Sequence, residues 1–162
     1  MKTIPSRPVA LFVLTVSVLA LATAYVAQYG FGLRPCVLCL AQRVPFALAG
    51  IVASLALLGP VGERLRRALL VIAGLAFLVN AGIAVYHVGV EQKWWVSSCV
   101  STESGPVSVT DMAALMAKPV EARCDEPAWQ WHGITMAAMN IPFSGGLALM
   151  VLVLTRRMRG RG

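Results

Sequence analysis

The stretch from Ala68 to Val90, ALLVIAGLAFLVNAGIAVYHVGV, contains no Lys, Arg, Asp or Glu. At about 1.5 Å per residue, a helix of this length reaches roughly 34 Å and can cross a bilayer core of roughly 30 Å. Working outward, three more apolar runs appear, at about 8–28, 40–58 and 141–155, the last only just long enough. The composition agrees: 58% of the 162 residues are hydrophobic and 13% are charged, against roughly 25% charged in soluble domains. Mean hydropathy is +0.75. These values exclude a disordered chain, a coiled coil and an ordinary soluble enzyme. The expected fold is an all-α membrane protein, a four-transmembrane-helix bundle forming a single integral membrane domain over residues 1–162.

The formal net charge is +7, which in a soluble protein would point to nucleic acid. Its distribution points to the bilayer instead. Lys2 and Arg7 precede the first run, and Arg64, Arg66 and Arg67 separate the second from the third. Arg156, Arg157, Arg159 and Arg161 follow the fourth. Cytoplasmic flanks are enriched in Lys and Arg, so both termini are expected in the cytoplasm and no nucleic-acid partner is expected. Six of the seven acidic residues fall on the other side, Glu91 among them. Arg43 belongs to neither side. A competing reading of the start is a signal peptide, since Ala22-Thr23-Ala24 resembles a cleavage site.

Two outer loops follow, at about 29–39 and 91–140. The long loop holds Trp94, Trp95, Trp129 and Trp131, as in an aromatic belt at a membrane interface or a small packed loop domain. Thr110-Asp111 reads as a helix start and Lys118-Pro119 as its stop. Met112, Leu115 and Met116 share one face, giving a short amphipathic helix on the membrane or against the loop's own core. Ala47, Gly50 and Ser54 in the second span, and Gly145 and Gly146 in the fourth, offer small side chains for close helix packing. Asn80 reads as an interhelical hydrogen-bonding residue.

All four cysteines are on the outer side. Cys36 and Cys39 form Cys-Val-Leu-Cys at the start of the second span, and Cys99 and Cys124 lie in the long loop. Zinc is disfavoured because the second pair is widely split, and a c-type haem needs His where Leu40 stands. Redox-active pairs and static disulfides both remain open. Physical chemistry favours a redox role for the close pair, since the unpaired N–H groups and dipole of a helix N-terminus stabilise a thiolate. Arg43, one turn after Cys39, would add a cation and a donor to a small-molecule oxygen; the alternative is snorkelling to the interface.

Pro35-Cys36-Val37-Leu38-Cys39 with Arg43 resembles the hallmark of the disulfide-bond-formation protein B (DsbB) family, thiol:quinone oxidoreductases of the bacterial inner membrane. The resemblance extends to four spans, a long outer loop with two cysteines, Tyr86-His87 closing the third span, and Gly133, Met136 and Asn140 leading into the fourth. Gln42 departs from members with Glu beside the arginine, and Met139 from members with an aromatic residue.

The resemblance implies that Cys99 and Cys124 take electrons from a periplasmic DsbA-type thioredoxin-fold dithiol. They would pass them to Cys36 and Cys39 and on to a membrane quinone, ubiquinone rather than menaquinone, with no metal. Cys39 would face the quinone as a thiolate. Arg43, His87 and Met136 would be quinone contacts. A vitamin K epoxide reductase-like redox protein and a non-enzymatic membrane protein with static disulfides are the competing readings.

Overall fold

The computed structural model describes residues 5–95 and 122–158. Cys99 and the amphipathic helix expected near Thr110–Lys118 lie outside the described residues. Within them, four helices are long and apolar enough to cross a membrane: Ser6–Gly30, Val37–Leu58, Glu63–Glu91 and Met136–Arg157.

Two of these spans are not regular α-helix throughout. The first is α1 (Ser6–Tyr25) followed by a π-helical turn, Val26–Gly30. The second is α2 (Val37–Ala41) followed by α3 (Arg43–Leu58), with Gln42 at the junction. Pro45 has no N–H to offer the Ala41 carbonyl, so the hydrogen-bond ladder loosens there. The third span is the unbroken α4 (Glu63–Glu91).

The fourth span, expected to start near Ile141, is α5 (Met136–Arg157). It starts earlier because Thr135 caps it, the hydroxyl accepting from the Ala138 N–H at 3.1 Å. Pro142 sits inside the helix, a position membrane helices tolerate. Just before α5 lies a hairpin that periodicity did not reveal: β1 (Gln130–Trp131) pairs antiparallel with β2 (Ile134–Thr135). His132 and Gly133 make its two-residue turn with φ of 49° and 81°, the positive-φ pair of a type I′ connection.

The helices meet around Val13, Phe46, Ala53, Leu70, Phe77 and Val151. Phe46 and Phe77 touch with ring centroids 5.6 Å apart. Small residues set the close approaches, as expected, but not all at the expected places. A Cβ on Gly50 would stand 3.4 Å from Ser17 of α1, whereas Gly145 and Gly146 face open space. The close contact between α4 and α5 is at Gly74 instead, where a Cβ would come within 2.9 Å of Leu152. Outward faces carry Leu11, Leu19, Ile51, Leu78 and Leu149, apolar surface that lipid covers at no cost.

At the end of the bundle away from Cys36 and Cys39, Ser6 donates to Glu63 at 2.9 Å. Arg66 reaches the same carboxylate at 3.1 Å and the Ala56 and Val61 carbonyls at 2.8 and 3.2 Å. One guanidinium therefore closes the open end of α3 and holds the turn to α4. Gly74→Ala should force Leu152 aside and lower the bundle's stability by about 1–3 kcal/mol. Thermal unfolding in detergent micelles, compared with Gly82→Ala in open space on the same helix, checks this.

Candidate active site around the Cys36–Cys39 pair

Cys36 is the N-cap of α2. Its sulfur accepts from the Cys39 backbone N–H at 3.3 Å. The Cys-x-x-Cys spacing turns the second sulfur back onto the first, and the two lie 3.1 Å apart as free thiols. Cys36 is buried and Cys39 partly so. His87 of α4 presents Nε2 to the Cys36 sulfur at 3.5 Å. Cys36 lies one residue before the second span, and its thiol is held far below the ordinary range, at about 4. The proton shared with Cys39 is the main cause, with the hydrogen bonds from His87 and the Cys39 backbone adding to it against the effect of burial. The helix N-terminus acts directly on the Cys36 sulfur, through the Cys39 backbone N–H.

Cys36, Cys39 and His87 bring three potential metal donors within 4.8 Å of one another. The two sulfurs, 3.1 Å apart, lie within hydrogen-bonding distance of each other.

Beside the pair is a cavity of about 40 Å³ lined by Cys36, Cys39, His87, Glu91 and Met136, with Arg34, Arg123 and Glu126 at its edge. It is large enough for water. Glu91 is the residue that sequence reasoning placed only among the outer acids. Its side chain is 4% exposed and stands 3.7 Å from His87 Nε2, and it accepts from the Thr135 hydroxyl at 2.6 Å. The site's carboxylate thus comes from α4, four residues after His87, while position 42 supplies an amide. Helical i,i+4 spacing of His87 and Glu91 was the available signal.

Arg43 is turned elsewhere. Its Nη1 donates to Gln28 Oε1 at 2.6 Å, and its guanidinium lies over the Tyr25 ring at 5.1 Å. Both partners sit where α1 widens into the π-turn, a distortion that often marks functional positions. These contacts direct the Arg43 side chain toward α1. Met136, the first residue of α5, is half exposed at the cavity wall.

Cys124 is disulfide-bonded and buried. It shares a small cluster with Cys36 and Val90, against which Leu38, Cys39 and Ala122 pack. The short loop, the long loop and the end of α4 therefore converge on the thiol pair. Nearby, Arg123 forks onto Asp125 at 3.0 and 2.8 Å. Over the same end of α4, the Trp95 indole stacks on Tyr86 at 5.6 Å and donates to the Tyr86 carbonyl at 3.2 Å. It fits only because residue 89 is Gly, where a Cβ would fall inside the ring.

Residues 6–154 match the model of the family described as "Disulfide bond formation protein DsbB". The chain is 34% identical over 149 residues to "Disulfide bond formation protein B" of Xanthomonas campestris pv. campestris (strain 8004), covering 86% of this chain and 84% of the relative. A protein of the same description from Acinetobacter baumannii is 37% identical over 73 residues, 44% of this chain and 43% of the relative. "Uncharacterized protein RP370" of Rickettsia prowazekii (strain Madrid E) is 26% identical over 136 residues, 81% of this chain and 77% of the relative. No solved structure matches the chain. With its four apolar helices and a Cys-x-x-Cys thiol pair at one end of the bundle, the chain belongs to the DsbB family of disulfide bond formation proteins.

Proposed function

We propose that this membrane-embedded oxidoreductase of disulfide bond formation takes two electrons from a periplasmic dithiol of the DsbA type and delivers them to a membrane quinone, ubiquinone in particular. The observation that carries the reading is the burial of disulfide-bonded Cys124 in one cluster with Cys36 and Cys39. A disulfide is exchanged only by a thiolate that reaches one of its sulfurs, and this cluster supplies that proximity.

Cys99 is the partner of Cys124 in this scheme. A donor thiolate attacks Cys99, forming a mixed disulfide and releasing Cys124. Cys124 attacks Cys36 of the oxidised close pair, and Cys39 leaves as a thiolate. The second donor sulfur then attacks the mixed disulfide and frees Cys99, which closes again on Cys124 and releases Cys36. Donor dithiol has become disulfide, and the close pair holds two electrons. In that reduced state the anion rests on Cys36, where the helix N-terminus and His87 stabilise it.

Bound quinone supplies an acceptor for two electrons and two protons. Side chains of α1, its π-turn and α3 offer contacts suited to its ring and carbonyl. Arg43 is a fixed donor whose present acceptor, the Gln28 carbonyl oxygen, stands in for a quinone carbonyl. Tyr25 and Tyr29 stack at 6.2 Å and are exposed on the same side. Arg43 would orient that carbonyl and stabilise negative charge developing on it. His87 and Met136 border the sulfurs from the other side. Water in the cavity, together with Glu91, offers a path for protons. The active cysteines would face the periplasm and the bundle would lie in the inner membrane, an orientation that the clustering of Lys and Arg at the opposite end supports.

Turnover of a reduced DsbA-type donor with excess ubiquinone should fall to background in Cys36→Ser, Cys39→Ser, Cys99→Ser and Cys124→Ser, each alone. Full turnover of Cys99→Ser would overturn the two-pair relay. Arg43→Ala should raise the quinone KM at least tenfold, the loss of a charged hydrogen bond of about 1.5–3 kcal/mol. An unchanged KM would place the ring elsewhere. In fully reduced protein, Cys36 should be alkylated by iodoacetamide at pH 6 and lose reactivity only as the pH falls toward 4. The thiolate is the depressed-pKa form, so its reactivity is present above that pH and lost below it. A midpoint near the ordinary thiol value of 9.0 would contradict the assignment of the anion.

A further inference from the structure

A string of polar side chains leaves the thiol pair and runs into the apolar bundle. Gln42 Nε2 lies 2.9 Å from His87 Nδ1. Asn140 Nδ2 donates to Gln42 Oε1 at 2.7 Å, Ser144 Oγ donates to Asn140 Oδ1 at 2.8 Å, and Asn80 Nδ2 donates to Ser144 Oγ at 2.9 Å. Gln42, Asn80, His87 and Ser144 are buried.

The direction of this string is physically determined. An amide nitrogen only donates, so Nδ1 of His87 must accept and its proton must sit on Nε2. Reversing every link would put the proton on Nδ1, and both ends oppose that. At the far end the forward direction leaves Asn80 Oδ1 without a partner. The reverse would leave the Asn80 NH₂ group unpaired instead, and an orphaned N–H group is rarer in proteins than an under-satisfied C=O. At the near end Nε2 faces two acceptors, the Cys36 sulfur at 3.5 Å and Glu91 Oε1 at 3.7 Å. A bare ring nitrogen there would set its lone pair against the lone pairs of both.

We propose that Gln42 is a positioning residue: anchored through Asn140, Ser144 and Asn80, it commits neutral His87 to the Nε2–H form, which donates to the Cys36 thiolate. His87 is then a fixed donor to the reduced pair and takes no proton from Cys36 in this state. A glutamate at position 42 would accept from Nδ1–H and demand the opposite form or an imidazolium. The departure at Gln42 is thus matched by a site whose carboxylate, Glu91, stands on the Nε2 side of the ring. Among the described residues, the charged and titratable groups around Cys36 are Cys39 on α2, His87 and Glu91 on α4, Arg34 before α2, and Arg123 and Glu126 on the returning loop. Of these, only the ring of His87 is set by the polar string.

The proposal rests on Cys36 and Cys39 being the reactive pair, but its test uses neither donor nor quinone. A failed turnover assay and a failed tautomer assignment are therefore separate results. The full-length reduced protein, labelled with ¹⁵N-histidine in lipid nanodiscs, contains two histidines, and His132→Gln assigns them. At pH 8, His87 should show an unprotonated Nδ1 and a protonated Nε2; a proton on Nδ1 overturns the proposal. This measurement needs no change near the site. In Asn140→Leu, Gln42 loses the anchor that orients its amide. The His87 spectrum should then become a mixture of both forms, and the midpoint of Cys36 alkylation should rise by about one unit, a tenfold change in the thiolate equilibrium. A folded Asn140→Leu protein with unchanged melting temperature, wild-type His87 resonances and a wild-type Cys36 profile would also overturn it.

Discussion

Hydrocarbon offers a polar side chain no partner, so polar groups inside the bundle turn to one another, and along the string from His87 only Asn80 Oδ1 is left over. This constraint organises the structure from Cys36 inward. His87, Gln42, Asn140, Ser144 and Asn80 come from three spans, and each is useful to the next only because the alternative is an unpaired group in an apolar medium. Van der Waals contact brings the helices together at Gly50 and Gly74, while the polar string sets their register at the end that carries the thiols. Pairwise, such membrane hydrogen bonds are worth only about 0.6–2 kcal/mol. Their larger effect is orientation, since each amide and ring in the string has one direction that satisfies its neighbours.

The same logic separates the two sides of the thiol pair. Toward α4 and α5 lie His87, Glu91 and a water-sized cavity, where the proposed relay would move its protons. Toward α1 lie Arg43, Gln28 and two stacked tyrosines, where it would seat the quinone. The break at Gln42 makes the division, because it lets Gln42 turn to His87 while its neighbour Arg43 turns to Gln28. A regular helix through this point would keep its ladder to Pro45, and Pro45 cannot supply the bond. A backbone defect thereby sends two adjacent polar residues to two different helices.

Much of this was legible from residues alone. Hydropathy located all four spans, and the Cys-x-x-Cys pair with Arg43 pointed to the family, because apolar length and short-range spacing are local properties. The fourth span's start was less legible, since Met136 to Asn140 read as loop until Thr135 was seen to cap them. The Gly145-Gly146 pair looked like a packing site and is not one, whereas Gly74 is; composition cannot say which face of a helix meets a neighbour. Glu91 looked like one more outer acid, and only the return of Thr135 and the position of His87 reveal it as buried and paired.

The sequence by itself determined the membrane class, the number of spans, the charge asymmetry and the placement of a thiol pair at a helix start. Those depend on runs of apolar residues and on neighbours within one helical turn. Only the tertiary structure decided which sulfur His87 meets, which way Arg43 points, and that residues as distant as Gln42 and Asn140 share a bond. These depend on contacts between helices, where a partner is chosen by distance and direction in space and leaves no periodic trace along the chain.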